Sequence, residues 1–342
     1  VSETNAVLAT GGTDTVYSSL AAYTLTANVE NGRILATVAA NLTGNTLNNT
    51  LYAGAGNNVL NGGTGIDTVS YAYGLAGTTG VTVSLAVGTA QATGGSGSDT
   101  LTSIENLIGS AYADRLTGNT GANSLGGGAG SDTLDGGAGS DTLAGGDGSD
   151  TYVVRDGGDV VSETNAVLAT GGTDTVYSTL AAYTLTANVE NGRILATVAA
   201  NLTGNTLNNV LYAGAGNNVL NGGTGIDTVS YAYGLAGTSG VTVSLAVGTA
   251  QATGGSGSDT LTSIENLIGS GLNDSLTGNA GHNVLDGGAG NDLLTGGIGH
   301  DMLTGGSGSD TFDFNALSEM GLTSATWDVI NDFVHGLDRI DL

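Results

Sequence analysis

Asp132, Asp141 and Asp150 fall nine residues apart in residues 127–154, GGAGSDTLDGGAGSDTLAGGDGSDTYVV. Carboxylates do general acid–base work in pairs, or hold hard cations in groups. With 31 Asp and Glu in 342 residues, a pair at glycosidase spacing arises by number alone and carries no weight. Regular spacing is a different signal, because it asks for ligands in line. Asp114, Asp132 and Asp150 are 18 apart, and so are Asn123, Asp141 and Asp159. Later in the chain the same series are Asp274, Asp292, Asp310 and Asn283, Asp301, with Glu319 next in register. Asn49 with Asp67, and Asn209 with Asp227, are shorter and weaker series, while Asp99 and Asp259 have no partner at that spacing.

The elements that must position these residues follow from their surroundings. The hexamer GGxGxD occurs ten times, starting at Gly62, Gly94, Gly127, Gly136, Gly145, Gly222, Gly254, Gly287, Gly296 and Gly305. Six of the ten stand in two tandem triplets, within the nonapeptide Gly-Gly-x-Gly-x-Asp-x-Leu-x. Glycines open backbone angles closed to other residues, so the first six residues predict a tight turn. The last three predict a short strand with its middle side chain inward. Two nonapeptides then make one coil, and stacked coils form two parallel sheets in an all-β solenoid. Leu134, Leu143 and Tyr152 are expected to stack as core, as are Leu285, Leu294 and Leu303. Residues 14–35 and 80–93 show β-branched alternation and are read as irregular rungs of the same solenoid, with flexible spacers as the alternative.

A second repeat is larger. Residues 1–110 match 161–270 except at Ser19/Thr179, Thr50/Val210 and Thr79/Ser239, a period of 160. The expected organisation is one copy over 1–160, a second over 161–313, and a distinct segment over 314–342. Near-identical blocks favour a structural or avidity role over catalysis.

Composition narrows the function classes. A formal charge of -26 with five Arg and no Lys excludes nucleic acid as a partner, because phosphate contacts need a basic patch. Anionic membranes are disfavoured for the same reason, and no apolar run approaches the ~20 residues needed to span a bilayer. Without cysteine the chain has no disulfides, so something else must staple it if it is extracellular. With 62 Gly but no Pro, collagen is excluded. No secretory leader opens the sequence at Val1, and the chain is expected to be a segment of something longer.

Columns of carboxylates at the rise of a solenoid repel strongly unless a cation sits between coils. Calcium fits the donor set, which is all hard oxygen, and accepts 6–8 such ligands in flexible geometry. Magnesium demands a stricter octahedron, and zinc wants patterned Cys or His, which this chain lacks. Asp as a mere turn terminator explains neither the period of 18 nor the absence of Lys.

These motifs resemble the RTX (repeats-in-toxin) family, over most of the chain. The resemblance implies a right-handed parallel β-roll with Ca²⁺ held between successive turns on one edge. It implies that one turn offers the carbonyls of its second and fourth residues with its Asp. The turn two nonapeptides later offers its first and third carbonyls with its Asp. Carried over, one site joins Gly128, Gly130 and Asp132 to Gly145, Asp147 (by its carbonyl) and Asp150. Its counterpart joins Gly288, Gly290 and Asp292 to Gly305, Ser307 and Asp310. By the same rule Gly127 and Ala129 serve the coil after Asp114, and Gly287 and Ala289 the coil after Asp274. On the other edge Gly136 and Ala138 stand with Asp141, and Gly296 and Ile298 with Asp301. Sites headed by Asn123 or Asn283 should be weaker, since an amide oxygen carries no net charge. DTFDFNALSEM…WDVINDFVHGLDRIDL (310–342) resembles the start of a serralysin-type C-terminal module, which in that family continues to a secretion signal, expected here to be missing or to lie beyond Leu342.

The resemblance implies a calcium-binding, bacterial, secreted or cell-surface protein that meets the type I secretion machinery and folds on Ca²⁺ outside the cell. Self-association or a cell-surface partner is compatible with it. Two other readings stay open. One is a stalk, S-layer or filament component, which at about 4.8 Å per coil would be a rod of roughly 90 Å. The other is the C-terminal module of a secreted hydrolase or polysaccharide epimerase whose catalytic domain lies elsewhere. The chain itself has no HExxH and no GxSxG, and its histidines are His282, His300 and His335. His282 and His300 are 18 apart and could stack to bind a transition metal, but they read more simply as solvated turn residues.

Overall fold

A glycine-rich hexamer followed by Asp-x-apolar-x turns and then extends, and the chain repeats this throughout. In the computed structural model, residues 12–73, 77–165, 168–233, 238–316, 319 and 327–342 are described. The turn at 127–132 shows why glycine is required: Gly128 and Gly130 have φ of +114° and +116°, in the region closed to other residues. The three residues after it, Thr133–Asp135, form a strand that buries Leu134.

Stacking is parallel and in register. Leu116, Leu134 and Tyr152 are aligned on one wall, and Leu107, Leu125, Leu143 and Val161 on the other. The expected stack of Leu134, Leu143 and Tyr152 is thus split. Consecutive nonapeptides face each other across the interior, and only alternate ones stack. The same holds later, where Leu285 and Leu303 align while Leu294 lies on the opposite wall with Leu276 and Phe312. All are fully buried, and each contributes about 1.5–3 kcal/mol of hydrophobic stabilisation. One or two inward residues per strand make a thin core, so nothing apolar compensates the polar edges.

The chain divides into two compact units, Val1–Asp174 and Thr175–Leu342. The division falls after Asp174 rather than at the residue-160 sequence period. In the first unit an eight-stranded parallel sheet runs from Thr15–Ser18 to Val160–Val161. Opposite it lie strands from Ala22–Thr24 to Gly97–Thr102, and then Thr82–Ser84, Arg115–Thr117, Thr133–Asp135 and Thr151–Val154. The second unit repeats these sets with its own strands, from Thr175–Ser178 onward. The segments 14–35 and 80–93 do supply rungs. One departs from the parallel pattern, because Gln91–Gly94 folds back antiparallel on Gly97–Thr102. In the segment 314–342, Val329–Ile330 and Arg339–Asp341 pair parallel with Met302–Thr304 and Thr311–Asp313, adding further rungs. Among the described residues no helix is long and apolar enough to cross a membrane.

Candidate metal centres

The periodic series become columns held by the backbone. Asp114 donates its N–H to Asp132 Oδ1 at 2.7 Å, and Asp132 donates to Asp150 Oδ1 at 2.8 Å. On the other edge Asn123 donates to Asp141 at 2.8 Å and Asp141 to Asp159 at 3.1 Å. The second unit repeats this through Asp274, Asp292 and Asp310, and through Asn283 and Asp301. Asn49 with Asp67, and Asn209 with Asp227, are joined in the same way.

This ladder uses one carboxylate oxygen and strands the other. Oδ2 of Asp67, Asp132, Asp141 and Asp150, and of Asp227, Asp292, Asp301 and Asp310, is buried with no hydrogen-bond partner. An unpartnered buried polar atom costs about 1–3 kcal/mol, and more when charged. A series of them along each edge calls for counter-ions.

Each stranded oxygen lies against a first glycine. A Cβ placed on Gly127 would lie 2.1 Å from Asp132 Oδ2 and 2.8 Å from the Gly145 carbonyl oxygen. At Gly287 the corresponding distances are 2.4 Å to Asp292 Oδ2 and 2.7 Å to the Gly305 carbonyl. Carboxylate and carbonyl oxygens from successive coils thus converge where a methyl group would otherwise sit. Asp114 with the Gly127 carbonyl, and Asp274 with the Gly287 carbonyl, converge likewise beside Gly109 and Gly269. Asn123 with the Gly136 carbonyl, and Asn283 with the Gly296 carbonyl, do so beside Gly118 and Gly278. The carbonyls of Gly128 and Gly130 face Gly146 and Gly148 of the next coil. Those of Asp147 and Ser307 already accept N–H bonds from Gly130 and Gly290 at 2.7 and 2.9 Å, leaving each one lone pair. Ala129 pairs with Asp147 and Ala289 with Ser307 across the same turns. Gly127→Ala fills this cradle, and isothermal titration should show the calcium affinity of that turn weakened by about tenfold or more.

The ends of the columns are closed by hydrogen bonds alone. Asn123 donates its side-chain amide to the Glu105 carbonyl at 2.7 Å, as Asn283 does to Glu265. Asn49 and Asn209 do the same toward residues 29–30 and 189–190. The Asn NH₂ stands where the next cation up the column would be, so an Asn heads a column rather than extending it. Asp114 is saturated by Val81 and Ser110, and Asp274 by Val241 and Ser270. Asp159 Oδ2 is capped by the N–H groups of Arg155 and Asp156. Asp99 accepts from Asn58 N–H and the Thr93 hydroxyl, and Asp259 from Asn218 and Thr253, so both oxygens of each are engaged.

Several column members escaped the periodic rule. Asp150 donates to Asp174, 24 residues on, and Asp310 to Asp338, 28 on. The residue after Asp301 is Asp328, 27 on, and not Glu319, whose carboxylate instead accepts from Asn315 N–H. Asp67 donates to Glu105, 38 on. Longer coils shift the spacing while the Asp-x-apolar strand start survives, in Asp174-Thr-Val, Asp328-Val-Ile and Asp338-Arg-Ile. That tripeptide was the usable signal.

Burial sets the proton affinity of the columns. It pushes Asp132 from 3.8 up to about 8, against the lowering bond from Asp114 N–H and with the Asp114 and Asp150 charges adding to it. Asp150 and Asp292 rise to about 6, mainly by burial. Asp67, Asp141, Asp227, Asp301 and Asp310 are raised by the same cause. Asp135 runs the other way, held low by a two-pronged hydrogen bond from Arg155 at 2.8 and 3.0 Å.

The sequence profile of the RTX calcium-binding nonapeptide repeat, in its four-copy form, matches residues 41–69, 102–134, 126–161, 201–229, 268–303 and 292–316. The chain belongs to the RTX calcium-binding repeat family. No curated protein matches the chain. The matched residues include every column Asp with a stranded oxygen named above. In this RTX chain His282 and His300 lie on successive coils with ring centroids 6.0 Å apart, edge to face and not stacked. His282 Nδ1 accepts the His300 backbone N–H at 2.9 Å, which occupies one of the ring nitrogens a metal would use.

Proposed function

We propose that this chain is a calcium-responsive β-roll segment of a bacterial protein exported by type I secretion, folding on Ca²⁺ once outside the cell. The observation that carries it is the series of buried, unpartnered Oδ2 atoms against the first glycines of the turns, with those of Asp132 and Asp292 also facing a glycine carbonyl of the next coil. Ca²⁺ placed there neutralises the columns, and its binding free energy becomes folding free energy. The ligands are the column carboxylates with the turn carbonyls, strongest where Asp follows Asp: Asp132 with Asp150, and Asp292 with Asp310. Affinities of ~10⁻⁴–10⁻³ M, usual for extracellular calcium modules, keep the chain unfolded in the cytosol and folded outside. The chain's role is structural and lies in export, and a catalytic domain, if the protein has one, lies outside this segment.

Limited proteolysis tests this. In chelator, chymotrypsin should cut the chain throughout, while in millimolar calcium the rungs should be protected over both units. Equal digestion in both conditions contradicts the proposal. A repetitive surface stalk is the second reading. It is favoured by the two units repeating the same strands, with 1–110 and 161–270 differing at only three positions. It shares the calcium chemistry and differs only in what the protein is attached to.

A further inference from the structure

Within the first unit two carboxylates from outside the 18-residue series meet one that belongs to it. Asp150, Glu163 and Asp174 are all buried, and they bring one carboxylate oxygen each within 4.8 Å of one another. Asp150 is 1% exposed, and its Oδ2 has no hydrogen-bond partner. Asp174 continues the Asp114–Asp132–Asp150 column, accepting the Asp150 N–H at 2.7 Å. Glu163 has no counterpart in the nonapeptide. It enters from the longer coil that separates Asp150 from Asp174, two residues after the strand Val160–Val161.

The neighbouring turn differs to match. Beside Gly127 the stranded carboxylate faces a glycine carbonyl of the next coil. Beside Gly145 the corresponding Cβ position is 2.0 Å from Asp150 Oδ2 and 2.3 Å from the Tyr152 hydroxyl. That hydroxyl accepts the Gly145 N–H at 3.0 Å and donates to Glu163 Oε2 at 2.7 Å. Tyr152 thereby fixes Glu163 beside Asp150. Glu163 Oε1 accepts the Asn165 N–H at 3.0 Å, which orients its carboxylate from the other side.

We infer that Asp150, Glu163 and Asp174 form a three-carboxylate Ca²⁺ site, distinct from the two-carboxylate sites of the repeats. The inference rests on the calcium reading above. Three hard anionic oxygens in a buried setting suit Ca²⁺ and trivalent lanthanide mimics of similar size, and an added carboxylate strengthens a calcium site. This site should fill before the periodic ones and lock the long coil that follows the tandem triplet.

The test uses the whole chain crystallised with Tb³⁺ as an anomalous scatterer, together with calcium binding by equilibrium dialysis. The expected result is an anomalous peak about 2.3–2.6 Å from an oxygen of each of the three residues. Glu163→Gln should lose one calcium from the tightest class, or weaken it by about tenfold or more, while sites at Asp132 and Asp292 are retained. Peaks between the Asp columns but none at the trio would overturn this inference and leave the calcium reading standing. Peaks nowhere would overturn both. If Glu163→Gln does not fold even in saturating calcium, the crystal of the unaltered chain decides alone. An unchanged calcium count and affinity in a folded Glu163→Gln also overturns it.

Discussion

Asp132→Asn should destabilise the chain in calcium and stabilise it in chelator. Both effects have one origin. Asp132 sits between Asp114 and Asp150, its Oδ1 held by the Asp114 N–H and its Oδ2 buried without a partner. An amide keeps the Oδ1 acceptor and removes the charge. With calcium present, the site shared with Asp150 loses a charged ligand, and the calcium midpoint for folding should rise about tenfold or more. Without calcium, the ionised carboxylate is a burden, because burial raises it from 3.8 to about 8. That shift is a penalty on the folded state at a pH above both values. Removing the charge relieves that penalty, so the variant should retain more β signal than the parent in EGTA. A variant less stable in both conditions would show that Asp132 serves turn geometry and not a cation.

In chelator, acid should fold the chain. The column aspartates have folded values raised above their unfolded ones, so the folded state binds more protons. Their ionisation therefore costs stability as pH rises from near 4 through about 6 for Asp150 and Asp292 and about 8 for Asp132. Read downward, far-UV circular dichroism in EGTA should gain β signal between about pH 8 and pH 4. Protons and calcium compete for the same oxygens, so the calcium midpoint should move to higher concentration over the same range. Loss of β signal on acidification in chelator would contradict the burial of these carboxylates. Asp135 opposes the trend, since Arg155 holds it low and that contact weakens in acid.

Much of this architecture is legible in the sequence wherever a coil is two nonapeptides long. Spacing alone places Asp132 under Asp150 and Asp141 under Asp159, because two nonapeptides per coil fix the register. It fails where a coil carries an insertion. Glu319 lies at the right count, yet Asp328 takes the place, since residues added to a coil leave the strand pairing intact and move only the numbering. Spacing also treats every Asp alike. Asp114 and Asp159 are saturated by nearby N–H and hydroxyl groups, a three-dimensional fact that no count of residues contains. Asn123 reads from sequence as a weakened ligand, whereas its amide donates to Glu105 and closes the column. Glu163 was invisible for the opposite reason. It stands outside the nonapeptide pattern, and only the fold brings it to Asp150.

The central claim is that calcium, and not the chain, supplies the positive charge that lets these columns stack. Far-UV circular dichroism of the unaltered chain at neutral pH, first in EGTA and then in millimolar calcium, tests it most directly. The account predicts a largely unstructured spectrum in EGTA and a β spectrum that appears with calcium and vanishes again on chelation. A β signal equally strong in EGTA would contradict it.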